Sequence, residues 1–185
     1  MYNMQFSKKI LILLVCAMFF GVSFTVHAYV YGGVKWAGTA VTVDYGSPTI
    51  PATWITPIAS GSSAWNATAS PFTFSAGTSN NDLTYSNKGT WGGKVALSTV
   101  TGVGTTINDV DLVFNSYYSW STAGAAGKYD VQNTATHEFG HFLNLSDLTG
   151  AVNSEKTMYG TTTTGETKKR SLHSDDINGI NYIYP

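Results

Sequence analysis

The stretch His137-Glu138-Phe139-Gly140-His141-Phe142-Leu143-Asn144-Leu145-Ser146-Asp147 decides how the rest of the chain is read. On an α-helix each residue turns about 100°, so positions four apart come back to within about 40° of each other, one turn along the axis. His137 and His141 therefore present two imidazoles from one face, a spacing that chelates a single zinc ion. Glu138, turned about 100° from His137, stays out of the ligand set yet near a water on the metal, where a general base belongs. A buried helix whose histidines make ordinary hydrogen bonds can carry the same five-residue pattern, so the flanks must decide.

A zinc ion held by two histidines takes a third protein ligand and keeps one position open. Asp147, six residues after His141, is the favoured third. To bring it back, the helix must stop abruptly after Leu143. Asn144 stands where a left-handed residue would end it, and asparagine tolerates that conformation better than most residues other than glycine. Asn144 is thus read as a structural residue. Glu155, Glu166 and His173 compete as third ligands. Glu155 and Glu166, however, lie in polar, Gly- and Thr-rich sequence rather than on an amphipathic helix, and the spacing of the extended zinc motif favours Asp147.

Outward from this stretch, Asp130 is positioned to cap a helix over about Val131 to Leu143. Thr39 to Tyr45 alternates, with Val41, Val43 and Tyr45 on one face, which predicts a half-buried strand. Ile50 to Ala67 carries Trp54, Ile58 and Trp65 at helical spacing, with Pro57 either kinking the helix or lying in its first turn. Phe72 to Ser75, Asp82 to Ser86, Val95 to Thr99 and Val110 to Phe114 predict four more strands. Gly77 to Asn81, Thr101 to Thr106 and Thr161 to Gly165 read as turns and loops. A last helix is expected from Asp175 to Tyr184, capped by Ser174. Strands and one helix followed by helices alone predict an α+β domain with a mostly N-terminal sheet.

The chain has 185 residues, 43% hydrophobic and 11% charged, so it can bury a core and is not of disordered composition. Residues 1–28 read as a secretory signal: Lys8 and Lys9 supply the charge, Ile10 to Phe24 the apolar run, and Val26-His27-Ala28 the cleavage signal. The apolar run of 15 residues is shorter than the roughly 20 needed to span hydrocarbon. Residues 29–185 are expected to form one domain, secreted and extracellular, with no membrane attachment after cleavage. Without Lys8 and Lys9 the remainder carries 8 basic against 11 acidic residues, which does not attract nucleic acid or an anionic membrane. The single cysteine, Cys16, falls in the leader, so stability must come from the core rather than from disulfides.

The run HEFGHFLNLSD resembles the extended metzincin motif HExxHxxGxxH in its aspartate variant, and Met158 in Thr157-Met158-Tyr159-Gly160 resembles the Met-turn. Within that clan the chain is similar to the matrixins, the family of the matrix metalloproteinases, particularly small secreted bacterial members. Asp109 to Asn115 with Trp120, the segment Ser174-Asp175-Asp176-Ile177-Asn178-Gly179-Ile180, and Trp65 with Pro71-Phe72-Thr73-Phe74 extend the likeness over most of the mature chain. The resemblance implies a metzincin-type catalytic domain, with a twisted mixed sheet and about three helices. It implies that His137, His141 and Asp147 bind one catalytic zinc, that Glu138 is the general base, that Met158 lies beneath the metal, and that one of Asp175 and Asp176 supports the Met-turn.

The chain also departs from the family pattern. Asn144 replaces the usual glycine, and Asp147 the usual histidine, as in aspartate-type metzincins such as snapalysin. Met158 stands eleven positions after Asp147, a longer connection than in typical matrixins. Three histidines after residue 28 cannot build the family's histidine-rich structural zinc site, and no cysteine is present there for a cysteine switch. Asp109 and Asp111 offer carboxylates to calcium, but two aspartates make a poor site. The expectation is a secreted, monomeric zinc-dependent endopeptidase acting on protein or peptide. The rival expectation is a non-catalytic module that keeps the scaffold to bind peptide or zinc. Tyr159 is expected either to form a wall of the pocket or to serve packing.

Overall fold

The computed structural model describes residues 29–185. The reading of a signal peptide lies outside the described residues. Two pieces of sheet stand side by side. In the first, β1 (Ala40–Val43) pairs in parallel with β2 (Thr73–Ala76). In the second, β5 (Thr106–Asn115) runs between β3 (Leu83–Ser86), which is parallel to it, and β4 (Ala96–Val103), which is antiparallel. A parallel bridge between Asp44 and Asp82 joins the two pieces. Asn81 closes the seam, donating from Nδ2 to Thr42 O at 2.7 Å and accepting from Val110 N at 3.0 Å. Strand β4 is left with one side unpaired by sheet.

Sequence alternation found β1 to β5 but cut β4 and β5 short. Thr101 to Thr106, read as a loop, instead extends β4 and β5 to a tight turn at Gly104, whose φ of 62° suits a residue without a side chain. Threonine and valine there are β-formers, but both faces are exposed, so no buried alternation marks the strands.

The described residues form three α-helices, α1 (Ile55–Asn66), α2 (Val131–Phe142) and α3 (Ser174–Ile183), of which α1 packs on β2 and α2 on β4. Pro57 lies in the first turn of α1, where its missing N–H costs nothing, and the preceding Ala52–Trp54 form a 3₁₀ turn rather than helix. Helix α3 is capped by His173, not Ser174. The histidine has extended φ/ψ, and its Nδ1 accepts from Asp175 N at 3.2 Å. An imidazole nitrogen there does what a serine hydroxyl would do, and serine's stronger statistical preference misplaced the boundary by one residue. Two further short strands, β6 (Trp120–Ser121) and β7 (Tyr129–Asp130), pair just before α2.

Helix α2 is the centre of the molecule, with ten of its twelve residues buried, so its polar groups need partners within the protein. Helix α1 crosses it closely at Gly61, where a Cβ would lie 2.9 Å from Thr136 N. Trp65 Nε1 donates to Thr136 O at 2.8 Å across the same contact. On the sheet side Phe74 and Phe139 pack with ring centroids 5.1 Å apart, and Phe139 and Phe142 at 5.2 Å.

Asp130 starts α2. Its buried carboxylate accepts from Asn133 N at 2.9 Å as the cap, from Gly124 N at 3.0 Å, and from Arg170 Nε and Nη2 at 2.9 and 2.6 Å. Burial pushes this carboxyl up, but Arg170 and the N–H donors outweigh it and hold the group below its ordinary value. A carboxyl whose value falls on folding contributes stability in full above its unfolded value of about 4, and that stability is lost as pH falls through the lower folded value. Asp130→Ala is expected to lower the unfolding free energy by about 3 kcal/mol at neutral pH, the loss of a cap together with a charge pair. The same variant should lose less stability than the parent on acidification below about pH 4, as read by urea denaturation across pH. Parallel acid limbs for the two proteins would contradict this account.

Candidate metal centre

His137 and His141 lie one turn apart on α2, and their rings stand edge to face with centroids 4.9 Å apart. Both Nδ1 atoms face main-chain carbonyls, His137 towards Thr157 O and His141 towards Leu145 O, each at 2.7 Å. A carbonyl only accepts, so each Nδ1 carries its proton and donates, and both Nε2 atoms are turned to one point. Asp147 Oδ1 meets them there, 3.1 Å from His137 Nε2 and 3.5 Å from His141 Nε2.

The donor set fits zinc. For a tetrahedral ion with bonds of about 2.0–2.1 Å, neighbouring ligand atoms stand about 3.3 Å apart, and the two distances from Asp147 Oδ1 to the imidazoles bracket that value. Two imidazole lone pairs aimed at a carboxylate oxygen would repel, so the arrangement is stable only around positive charge. Burial opposes charge on His141, but the hydrogen bond it donates to Asp147 and the charges of Glu138 and Asp147 push it up to about 9. Burial likewise raises the Asp147 carboxyl, yet the two imidazoles override it and hold the group well below the usual carboxylate range.

The turn that returns Asp147 rests on Asn144, whose φ is 59°, the left-handed conformation. Leu145 N donates back to Gly140 O at 3.0 Å, which turns the chain and points the Leu145 carbonyl at His141. The Asn144 side chain donates to Val34 O at 3.0 Å, and the Asn144 main-chain carbonyl accepts from Gly32 N at 2.8 Å, so the N-terminal segment braces the turn. Glu138 is 5% exposed, and one ligand atom from each of His137, Glu138 and His141 lies within 4.8 Å of the others. Its Oε2 accepts from Ser98 Oγ on β4 at 2.8 Å.

Met158 is buried under α2 against Gly140, where any Cβ would strike its Sδ. Of the acidic pair at the start of α3, Asp176 is the one that reaches the turn around Met158. It is wholly buried and accepts from Thr157 N at 2.9 Å and Met158 N at 3.1 Å, one bond to each oxygen. Asp175 instead forms an ion pair with Lys156 at 3.2 Å. Asp176 thereby fixes the peptide whose carbonyl orients His137.

The competing third ligands lie elsewhere. Glu155 pairs with Lys168 at 3.0 Å on the surface, Glu166 accepts from Asn133 and Thr162, and His173 caps α3. Tyr159 is not among the residues that line the cavity at the centre, and it packs beside Lys169 instead. Ser98, Asn133, Thr134 and Lys169 meet at this site without having been singled out in the sequence. Ser98 and Lys169 are brought in by long-range pairing, whereas Asn133 and Thr134 stand one turn before His137 and Glu138 on α2, a helical spacing that could have found them.

A family model described as Matrixin matches residues 65–185. Metalloendoproteinase 2-MMP from Arabidopsis thaliana is 42% identical over 55 residues, which are 30% of this chain. The aligned stretch spans 14% of the length of that protein.

Removing the support under His137 gives a direct test of this geometry. Asp176→Asn keeps the size but turns one N–H acceptor into a donor. It is expected to weaken zinc binding about 10- to 100-fold in competition with a chelating dye. Parental zinc affinity in a folded Asp176→Asn protein would mean that the carboxylate supports the fold alone.

Proposed function

The chain belongs to the matrixin family, and from that premise we propose that it is a zinc-dependent endopeptidase. The observation that carries the reading is the convergence of His137 Nε2, His141 Nε2 and Asp147 Oδ1 at the spacing of a zinc tetrahedron, with Glu138 beside them. His137, His141 and Asp147 would hold the ion. Zinc in such a site lowers the pKa of a coordinated water towards 7 and polarises the scissile carbonyl.

The rest of the chemistry belongs to the protein's own groups. Ser98 holds one oxygen of Glu138, which fixes the plane of the carboxylate and leaves the other oxygen for the attacking water. Glu138 takes the water's proton and then delivers it to the departing amine, so one carboxylate acts as base and then as acid. The Nδ1 bonds to Thr157 and Leu145 keep both imidazoles in the tautomer that offers Nε2. The free side of β4 accepts an extended peptide as a further strand, with main-chain bonds supplying affinity and side-chain pockets supplying selectivity. Residues Val95 to Leu97 line the cleft on that side.

The partners under this reading are a protein or peptide substrate and neither nucleic acid nor membrane, with the enzyme a monomer. Export is supported by the charged, apolar and small-residue order of residues 1–28. A binding module without turnover would have no use for a buried carboxylate held ready by Ser98.

Purified protein with zinc is expected to cleave a quenched fluorescent casein. Cleavage should stop with 1,10-phenanthroline and return on adding zinc. Glu138→Gln should retain zinc and lose about 10²- to 10⁴-fold in turnover. One bound zinc per chain with no cleavage by the parent would favour the binding module, and undiminished cleavage by Glu138→Gln would remove Glu138 as the base.

A further inference from the structure

A cavity of about 330 Å³ opens beside His137, Glu138, His141 and Asp147. Its size suits one substrate side chain with its adjoining main chain. The lining is apolar where Val95 leads into β4 at Ala96 and Leu97. The lining also contains the polar Asn133, Thr134, Thr162 and Lys169.

Among the described residues, the hydrogen bonds of the polar lining leave two groups with a donor over, the Lys169 ammonium and the Thr134 hydroxyl. Lys169 is only 2% exposed. Its ammonium donates to Tyr159 O and to Thr161 O, which uses two of its three N–H bonds. The third has no hydrogen-bond acceptor among the described residues, since the nearest carboxylate oxygen, Glu166 Oε1, is 3.9 Å away. That oxygen already accepts from Asn133 Nδ2 at 3.3 Å and Thr162 Oγ1 at 3.4 Å. Asn133 Oδ1 is taken by Lys169 N at 2.8 Å. Thr134 is 4% exposed and its hydroxyl has no partner among the described residues. Thr136, two residues on, meets the same demand by donating to Gln132 O, a bond that Thr134 does not make to its own helix.

We propose that this cavity selects a substrate side chain that ends in a carbonyl or carboxylate oxygen, glutamine or glutamate, over an aliphatic side chain of the same length. The inference rests on the endopeptidase reading. The methylenes of such a side chain lie along Val95 to Leu97 while its oxygen meets the spare donors of Lys169 and Thr134. An aliphatic end would cover those donors without replacing water, which is the penalty that lets a hydrogen-bonding site reject an apolar analogue.

The test uses quenched peptides that differ only in carrying Glu, Gln, Met or Leu, placed in turn at each position flanking the scissile bond, with the full chain and zinc. At one position kcat/KM for Gln or Glu is expected to exceed that for Met and Leu by at least about tenfold. The order of Gln and Glu then distinguishes an amide from a carboxylate ligand. Efficient cleavage with Met or Leu preferred at every position would overturn the proposal and leave the peptidase reading intact. Failure to cleave every peptide, and casein as well, would overturn the peptidase reading itself. Thr134→Val removes the hydroxyl at nearly constant shape and should not lower the melting temperature, because the hydroxyl has no partner to lose. It is expected to reduce the Gln-to-Met ratio about fivefold. An unchanged ratio would contradict the role given to Thr134.

Discussion

A helix buried almost all round can carry two imidazoles and a carboxylate only if each polar group is met, and the hydrogen bonds from the two Nδ1 atoms are what the rest of the structure serves. His137 reaches Thr157 O and His141 reaches Leu145 O, so both carbonyls must be held at fixed points outside the helix. Asp176 fixes the first by gripping the N–H groups of Thr157 and Met158. The left-handed turn at Asn144 fixes the second. Helix α3 and the N-terminal segment near Val34 thus bear on the centre without touching it, one through each carbonyl.

Close packing under α2 follows from the same demand. Gly61 lets α1 approach until the Trp65 indole bonds to Thr136 O, and Gly140 leaves room for Met158 and Trp65 beneath the two histidines. A side chain at either glycine would push an element away from the helix that carries the ligands. The cost would fall first on the positions of His137 and His141, because interiors packed this tightly have no slack to absorb a methyl group.

What could be read in the sequence was local, and what could not was distant. Asp130 and Asn144 bracket α2 with a cap and a left-handed stop, and both signals act within four residues of the helix they bound. The pairing of two imidazoles with a returning aspartate is a spacing argument of the same kind. The far ends of β4 and β5 went unread because their exposed threonines and glycines have the composition of a loop, and only the ladder between the strands makes them sheet. The choice between Asp175 and Asp176 depends on which side chain faces the turn at Met158. Lys169 shows the limit most clearly: a lysine between Lys168 and Arg170 reads as part of a solvated basic run, yet it is the most deeply buried charge of the three.

Burial of Lys169 connects the shape of the cavity to the metal centre. Its ammonium bonds to the carbonyls of Tyr159 and Thr161, on either side of Gly160, and so fixes the chain at that glycine. Gly160 in turn abuts Asp147, where a Cβ would lie 2.8 Å from the carboxyl carbon, and Gly160 N donates to Leu148 O at 3.0 Å. Asp147 is the most exposed of the three converging groups and sits beyond the end of the helix, so its position depends on what lies behind it. One buried cation therefore holds the segment that backs Asp147 and also lines the cavity beside His137 and His141. The lining of the cavity and the position of Asp147 cannot be altered independently at this point, which accounts for a costly buried lysine where an apolar residue would fill the space.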